Sequence, residues 1–206
     1  MLRRLRTLWS LLPALVAFST MCLAADVLVP AKPATPATKL KHEAVLKALP
    51  FENRADFEDA RRGLMARPDT LTIKDATGKV IWDLEQFKQF IGIDQPAPDT
   101  VNPSLWRNAQ LCLEYGLFQV TDRIYQVRGY DLSNMTLIRG DTGWIVLDPL
   151  ISEETAKAAL DLANATLGLR PVVAVIYSHS HVDHYGGAGG LASDEEYESG
   201  KIQVIG

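Results

Sequence analysis

Residues 175–190 read VIYSHSHVDHYGGAGG, and three of the chain's four histidines, His179, His181 and His184, fall within six positions of that stretch. Asp183 stands among them, and four glycines follow within five residues. Alternate side chains of an extended segment share a face, so His179, His181 and Asp183 are expected to point one way and His184 elsewhere. Neutral imidazoles two residues apart offer nitrogen lone pairs to one zinc-sized ion at about 2.0–2.1 Å. Asp183 and His184 then suit a second ion nearby, because two-metal hydrolytic sites hold their ions about 3.5–4 Å apart. A solitary histidine is usually a surface or hydrogen-bonded residue, and His42 is read that way. Gly186, Gly187, Gly189 and Gly190 are expected to let the backbone pass close to the metals, leave room for a substrate and permit turns with positive φ. Tyr185 is the one large side chain beside the cluster and is expected to wall it.

The surrounding text shows how the cluster is carried. PVVAVIYS, just ahead of it, is an uninterrupted apolar run of the kind found in strands buried on both faces. Before that run a helix is framed by Ser152 as N-cap, Glu153 and Glu154 in its first turn, and Gly168 after Leu167. RIYQVRG, MTLIRG and GWIVLDP read as three strands separated by the loops 130–134 and 140–143. The order strand, strand, strand, helix, strand puts the histidines at a strand's C-terminal end, the edge where open α/β sheets build their sites.

Upstream, residues 51–66 suggest an amphipathic helix ended by Pro68, and TLTI and KVIW a hairpin turning through residues 75–78. DLEQFKQFI and PSLWRNAQLCLEYG read as helices, the second capped by Asn102, with Pro103 in its first turn and Gly116 at its end. Residues 25–50 include several prolines and are expected to be a linker or arm. Residues 1–24 combine Arg3, Arg4 and Arg6 with a short apolar stretch and small residues at Ala24, which reads as a cleavable signal peptide and a periplasmic or secreted destination. That apolar stretch is too short and interrupted for a stable membrane anchor.

The 47% hydrophobic content is enough for a real core. The net charge of −4 becomes about −7 without residues 1–24, since 18 basic residues then face 25 acidic ones. Such a surface excludes nucleic acid and anionic membrane as natural partners. Cys112 would then be the single cysteine, without an internal disulfide partner, and is read as a small core residue.

SHSHVDHYGG resembles the H-x-H-x-D-H motif of the metallo-β-lactamase superfamily, and VLDP resembles that superfamily's earlier aspartate motif. NPSLWRNAQL, GLFQVTDRIYQVRGYDLSNMTLIRGDTGWIVLDPL and RPVVAVIYSHSHVDHYGG are similar to its linear alkyl sulfatases, secreted zinc enzymes that hydrolyse alkyl sulfate esters such as dodecyl sulfate. The resemblance implies an α/β fold, with residues 117–206 as the first half of an αββα sandwich and residues 51–116 as a mainly helical region with a hairpin. It implies two zinc ions, one on His179 and His181 and one on Asp183 and His184. Asp183 would also be the catalytic residue that orients a metal-activated water, and Asp148 would support the ligands from behind.

An amphiphilic alkyl sulfate needs an apolar channel, for which Tyr130, Asn134 and Tyr185 are the wall candidates. Ser178 departs from the threonine common in that motif, and Tyr185 from the phenylalanine. In that family the domain continues past the motif, adds acidic ligands and a histidine, and leads into a dimerisation domain. An N-terminal fragment of a longer enzyme, homodimeric at full length, is therefore expected here, with four ligands underfilling two ions. Two alternatives stay open: another hydrolase of the superfamily acting on a β-lactam, thioester or phosphoester, or a non-catalytic truncated product. The thiolate-free ligands favour zinc but also admit manganese or iron.

Overall fold

Residues 32–206 are described by a computed structural model, so the expected signal peptide and the first residues of the expected linker lie outside the described residues. The remainder of that linker is not extended. Pro36–Ala48 form helix α1, begun by Thr35, whose hydroxyl accepts the Thr38 amide, and by Pro36 in the first turn, where a missing N–H costs nothing. None of its residues is buried; Lys39 and His42 tie it to the carboxylate and carbonyl of Asp99.

Helix α2, Ala55–Arg61, is shorter than the helix expected over 51–66. Gly63, at φ 78°, turns the chain where any Cβ would collide with the Gln119 carbonyl, and Leu64–Ala66 then run as strand β1. The hairpin forms as expected from β2, Thr72–Lys74, and β3, Val80–Asp83, its turn organised by the Asp75 carboxylate on the amides of Thr77 and Lys79. A single turn, α3, covers Glu85–Lys88, and α4 covers Pro103–Leu111 with the Asn102 side chain on the Ser104 amide. Cys112 is the C-cap of α4 and is exposed, not in the core. Gly116, expected to end that helix, instead opens β4, Gly116–Thr121, a strand missed in the sequence.

Strands β5, Ile124–Arg128, β6, Met135–Arg139, and β7, Trp144–Leu147, follow as expected, as does helix α5, Glu153–Leu167. Strand β8 is Val172–Ile176, α6 is Asp194–Glu198 and β9 is Gln203–Ile205. Seven strands form one sheet in the order β1-β4-β5-β6-β7-β8-β9, antiparallel as far as β7 and parallel from β7 to β9. Helix α5 is the crossover that joins the parallel neighbours β7 and β8.

Ala156, Ala159, Leu160 and Ala163 on the buried face of the helix join one hydrophobic core with Val127, Leu137, Trp144, Val146 and Val175 of the sheet. Fully buried Trp144 donates its indole N–H to Asn164 at 2.9 Å and meets Tyr125 edge-on at 5.9 Å. Leu71, Ile73 and Leu84 of the hairpin region join the same core. The opposite sheet face is only half-buried at Gln126, Thr136, Ile138, Ile145 and Leu147. Accordingly β8 is buried at Val172 and Val175 but half-buried elsewhere, rather than enclosed on both faces. Among the described residues no helix is long and apolar enough to cross a membrane.

The glycines after the histidines do a different job from the one expected. None of the four has a positive φ. A Cβ on Gly186, Gly187 or Gly190 would run into the carbonyl oxygens of Ile151, Pro149 and Glu153 respectively, so these glycines seat the segment on the first turn of α5 and its approach. Gly187→Ala is therefore expected to cost about 1–3 kcal/mol in urea unfolding. Gly189→Ala meets only the movable Glu153 side chain and should stay within about 0.5 kcal/mol of the wild type.

Candidate metal centre

Because β7 and β8 are parallel and adjacent, their C-terminal ends emerge side by side, with Leu147 opposite Ile176. The Asp148 amide still bonds the Ile176 carbonyl at 3.0 Å, after which the chain bends sharply. Asp148 takes φ 56° and Leu150 φ 66°, a left-handed conformation that aspartate tolerates and leucine resists. The Leu150 side chain is completely buried, and that burial holds the bend against its strain. The bend swings the Asp148 carboxylate across to the end of β8. There it accepts the Ser178 amide at 2.8 Å, the Ser178 hydroxyl at 2.7 Å and His184 Nδ1 at 2.8 Å.

These bonds fix the polarity of the whole cluster. Burial pushes the Asp148 carboxyl up, but the hydrogen bonds from Ser178 and His184 outweigh it and hold the group below the usual carboxylate range. Asp148 is thus ionised at neutral pH and can only accept. Ser178 Oγ must give its proton to Asp148, so it receives the Nδ1–H of His179 at 2.9 Å. His184 donates its own Nδ1–H directly. In its neutral form each ring then keeps a bare Nε2 lone pair, the form that binds a metal ion.

Those two lone pairs face partners. His179 Nε2 lies 3.2 Å from His181 Nδ1, and His184 Nε2 lies 3.3 Å from Asp183 Oδ2. A tetrahedral ion with ligands at about 2.0–2.1 Å spaces any two of them about 3.3–3.4 Å apart. Each pair therefore has the bite of one ion, and the rings of His179 and His184 bring the pairs together, their centroids 4.0 Å apart. Among the described residues, no group of three or more His, Cys, Asp or Glu side chains is arranged to hold a single ion. The four side chains stand instead as two donor pairs.

The predicted alternation stops short of Asp183. Residues Val182–His184 form a 3₁₀ turn, closed by the His184 amide on the His181 carbonyl at 3.0 Å, and this turn rather than an extended chain delivers Asp183 beside His184. His179 and His181 are exposed, while Asp183 and His184 are partly covered. Tyr185 is exposed and meets Tyr177 edge-on at 6.1 Å. Asn134 is exposed on its loop, but Tyr130 is packed in the core, where burial, reinforced by Tyr115, pushes its phenol up to about 12. Tyr130 offers no wall to a substrate, because its ring faces the hydrophobic cluster. His42 is half-buried and hydrogen-bonded to the Asp99 carbonyl, as expected of a solitary histidine.

The bonding roles of three polar residues around the site were not read from the sequence: Ser178, Asp131 and Ser133. The Ser133 hydroxyl bonds the Asp183 carbonyl, and the Ser133 amide bonds Asp131 Oδ1 at 2.8 Å. The one local signal was the Asp-x-Ser spacing, which suits an aspartate bonding the amide two residues on.

Residues 128–205 match the metallo-beta-lactamase superfamily. A linear primary-alkylsulfatase of Pseudomonas sp is 52% identical over 174 residues, 84% of this chain and 26% of the relative. An alkyl/aryl-sulfatase of Saccharomyces cerevisiae is 45% identical over 175 residues, 85% of this chain and 27% of the relative. The solved structure of a stereoselective inverting sec-alkylsulfatase from Pseudomonas sp. matches with a TM-score of 0.76 and 50% identity, over 84% of this chain and 27% of that one. The chain spans about a quarter of the length of the curated relatives it matches. Its mixed α/β architecture is that of the metallo-beta-lactamase-type neighbours.

Asp148→Asn tests the polarity of the cluster. An asparagine keeps an acceptor for the Ser178 amide but presents N–H to Ser178 Oγ and His184 Nδ1. The Ser178 hydroxyl must then donate to His179, and both rings should switch to the Nε2–H tautomer. Nitrogen NMR of the imidazoles above the histidine titration range should show that switch at His179 and His184; unchanged tautomers would mean that Asp148 does not set them.

Proposed function

We propose that this chain belongs to a metal-dependent hydrolase of alkyl sulfate esters, with His179 and His181 holding one zinc ion and Asp183 and His184 a second. The observation that carries the reading is the pair of ion-sized gaps, 3.2 and 3.3 Å wide, side by side at the end of β8. The relatives named as alkylsulfatases support the substrate class.

Divalent ions bound there supply a water of lowered pKa and positive charge against the sulfate. Asp148 keeps His179 and His184 in the ligating tautomer. Asp183, on an open turn, has a second carboxylate oxygen with which to hold and orient the attacking water. Leu132, Val182 and Tyr185 are exposed apolar side chains on the two segments that meet at the Ser133–Asp183 bond, and they offer a surface for an alkyl chain. Each pair leaves ligand positions for other groups to fill. The signal-like pattern of residues 1–24 supports export to the periplasm or beyond as part of this reading.

Equilibrium dialysis against zinc with metal analysis should show binding that weakens about tenfold or more in His181→Ala, and sulfate release from dodecyl sulfate should fall with it. Zinc binding untouched by His181→Ala overturns the ligand assignment. A cephalosporin and a lactoyl thioester run beside dodecyl sulfate check the substrate class, and turnover of either with no sulfate release overturns it.

A further inference from the structure

The loop between β5 and β6 contains a buried carboxylate that the proposed reaction does not use. Asp131 is 6% exposed and makes no ion pair among the described residues. All three of its partners are donors: the Ser133 amide on Oδ1 at 2.8 Å, and the Ile151 amide at 2.8 Å and Thr155 hydroxyl at 2.9 Å on Oδ2. Ile151 and Thr155 belong to the approach and first turn of α5, the end of a helix that favours an anion. The carboxylate thus clamps the loop to the helix start.

Ser133, 8% exposed, extends the clamp. Its hydroxyl donates to the Asp183 carbonyl, fifty residues on, inside the 3₁₀ turn. Among the described residues this is the one side-chain hydrogen bond to the backbone of residues 181–185; the turn's other bonds are main-chain to main-chain. The glycines after the turn seat its far end on α5, and side chains hold the turn itself through Ser133 on one side and the Asp148–His184 bond on the other. His179 and His181 lie before the turn and receive nothing from Ser133.

We propose that Ser133, held by Asp131, is a positioning residue for one donor pair only: it sets the turn so that Asp183 Oδ2 stands an ion's width from His184 Nε2. The inference rests on reading that pair as ligands of an ion. It predicts an asymmetry that a general loss of packing would not produce, because the pair formed by His179 and His181 is anchored through Ser178 and Asp148 instead.

The test is a zinc titration of the whole chain followed residue by residue through the histidine side-chain NMR signals. Ser133→Ala should weaken zinc binding sensed at His184 about tenfold or more and leave the response at His179 and His181 within about twofold. Ser133→Thr, which keeps the hydroxyl, should restore His184. Thr155→Val, which removes one donor from Asp131 but not Ser133, should lower the melting temperature without moving the zinc response. If Ser133→Ala does not fold, Ser133→Gly carries the same expectation.

A His184 response unchanged in Ser133→Ala overturns this inference alone. So does an equal loss at both pairs, or the same loss in Thr155→Val, since either marks a structural effect. No zinc response at any histidine of the wild type overturns the metal reading and this inference with it.

Discussion

One carboxylate, placed between the ends of two parallel strands, organises the site. Asp148 closes the gap between β7 and β8, and every proton position deduced in the cluster follows from its being ionised. A carboxyl held below its ordinary range stabilises the fold in full above that range, and the contribution disappears as pH falls through the lowered value. The strained backbone at Asp148 and Leu150 is the cost of aiming the carboxylate sideways, and the complete burial of Leu150 offsets it.

The first turn of α5 is the second fixed point. Ser152 and Thr155 cap it reciprocally, Thr155 also reaches Asp131, and Gly187 and Gly190 pack down on its carbonyls. The loop ahead of β6 and the segment behind the histidines are thus referred to one short stretch of helix. This arrangement gives two donor pairs side by side without any triad among the described residues.

Much of this architecture was legible in the chain. Ser152, the two following glutamates and Gly168 marked α5 because capping chemistry is local, and β5 to β8 were marked by apolar runs between turn residues. Helix α1 was missed because three prolines suggested an extended arm, although Pro36 sits at the one helical turn that accepts it. Strand β4 was missed because Gly116 reads equally well as a helix stop or as a residue needing positive φ. Four histidine-cluster residues could be picked out by type and spacing alone. The functions of Ser178 and Ser133 could not, since a serine's role depends on which distant acceptor or donor the fold places beside it. Tyr130 illustrates the converse, a residue whose loop position suggested a surface and whose ring the sheet buries.

All four donors lie within six consecutive residues, yet what orients them comes from 36 and 50 residues away, through Asp148 and Ser133. An unfolded chain keeps the six residues and loses the two anchors. On the proposed metal reading such a chain keeps some grip on an ion, and a ligand stabilises a fold only by the difference between its affinities for the folded and unfolded states. On that reading the difference resides in the anchors, and metal and fold are coupled through residues that never touch the metal.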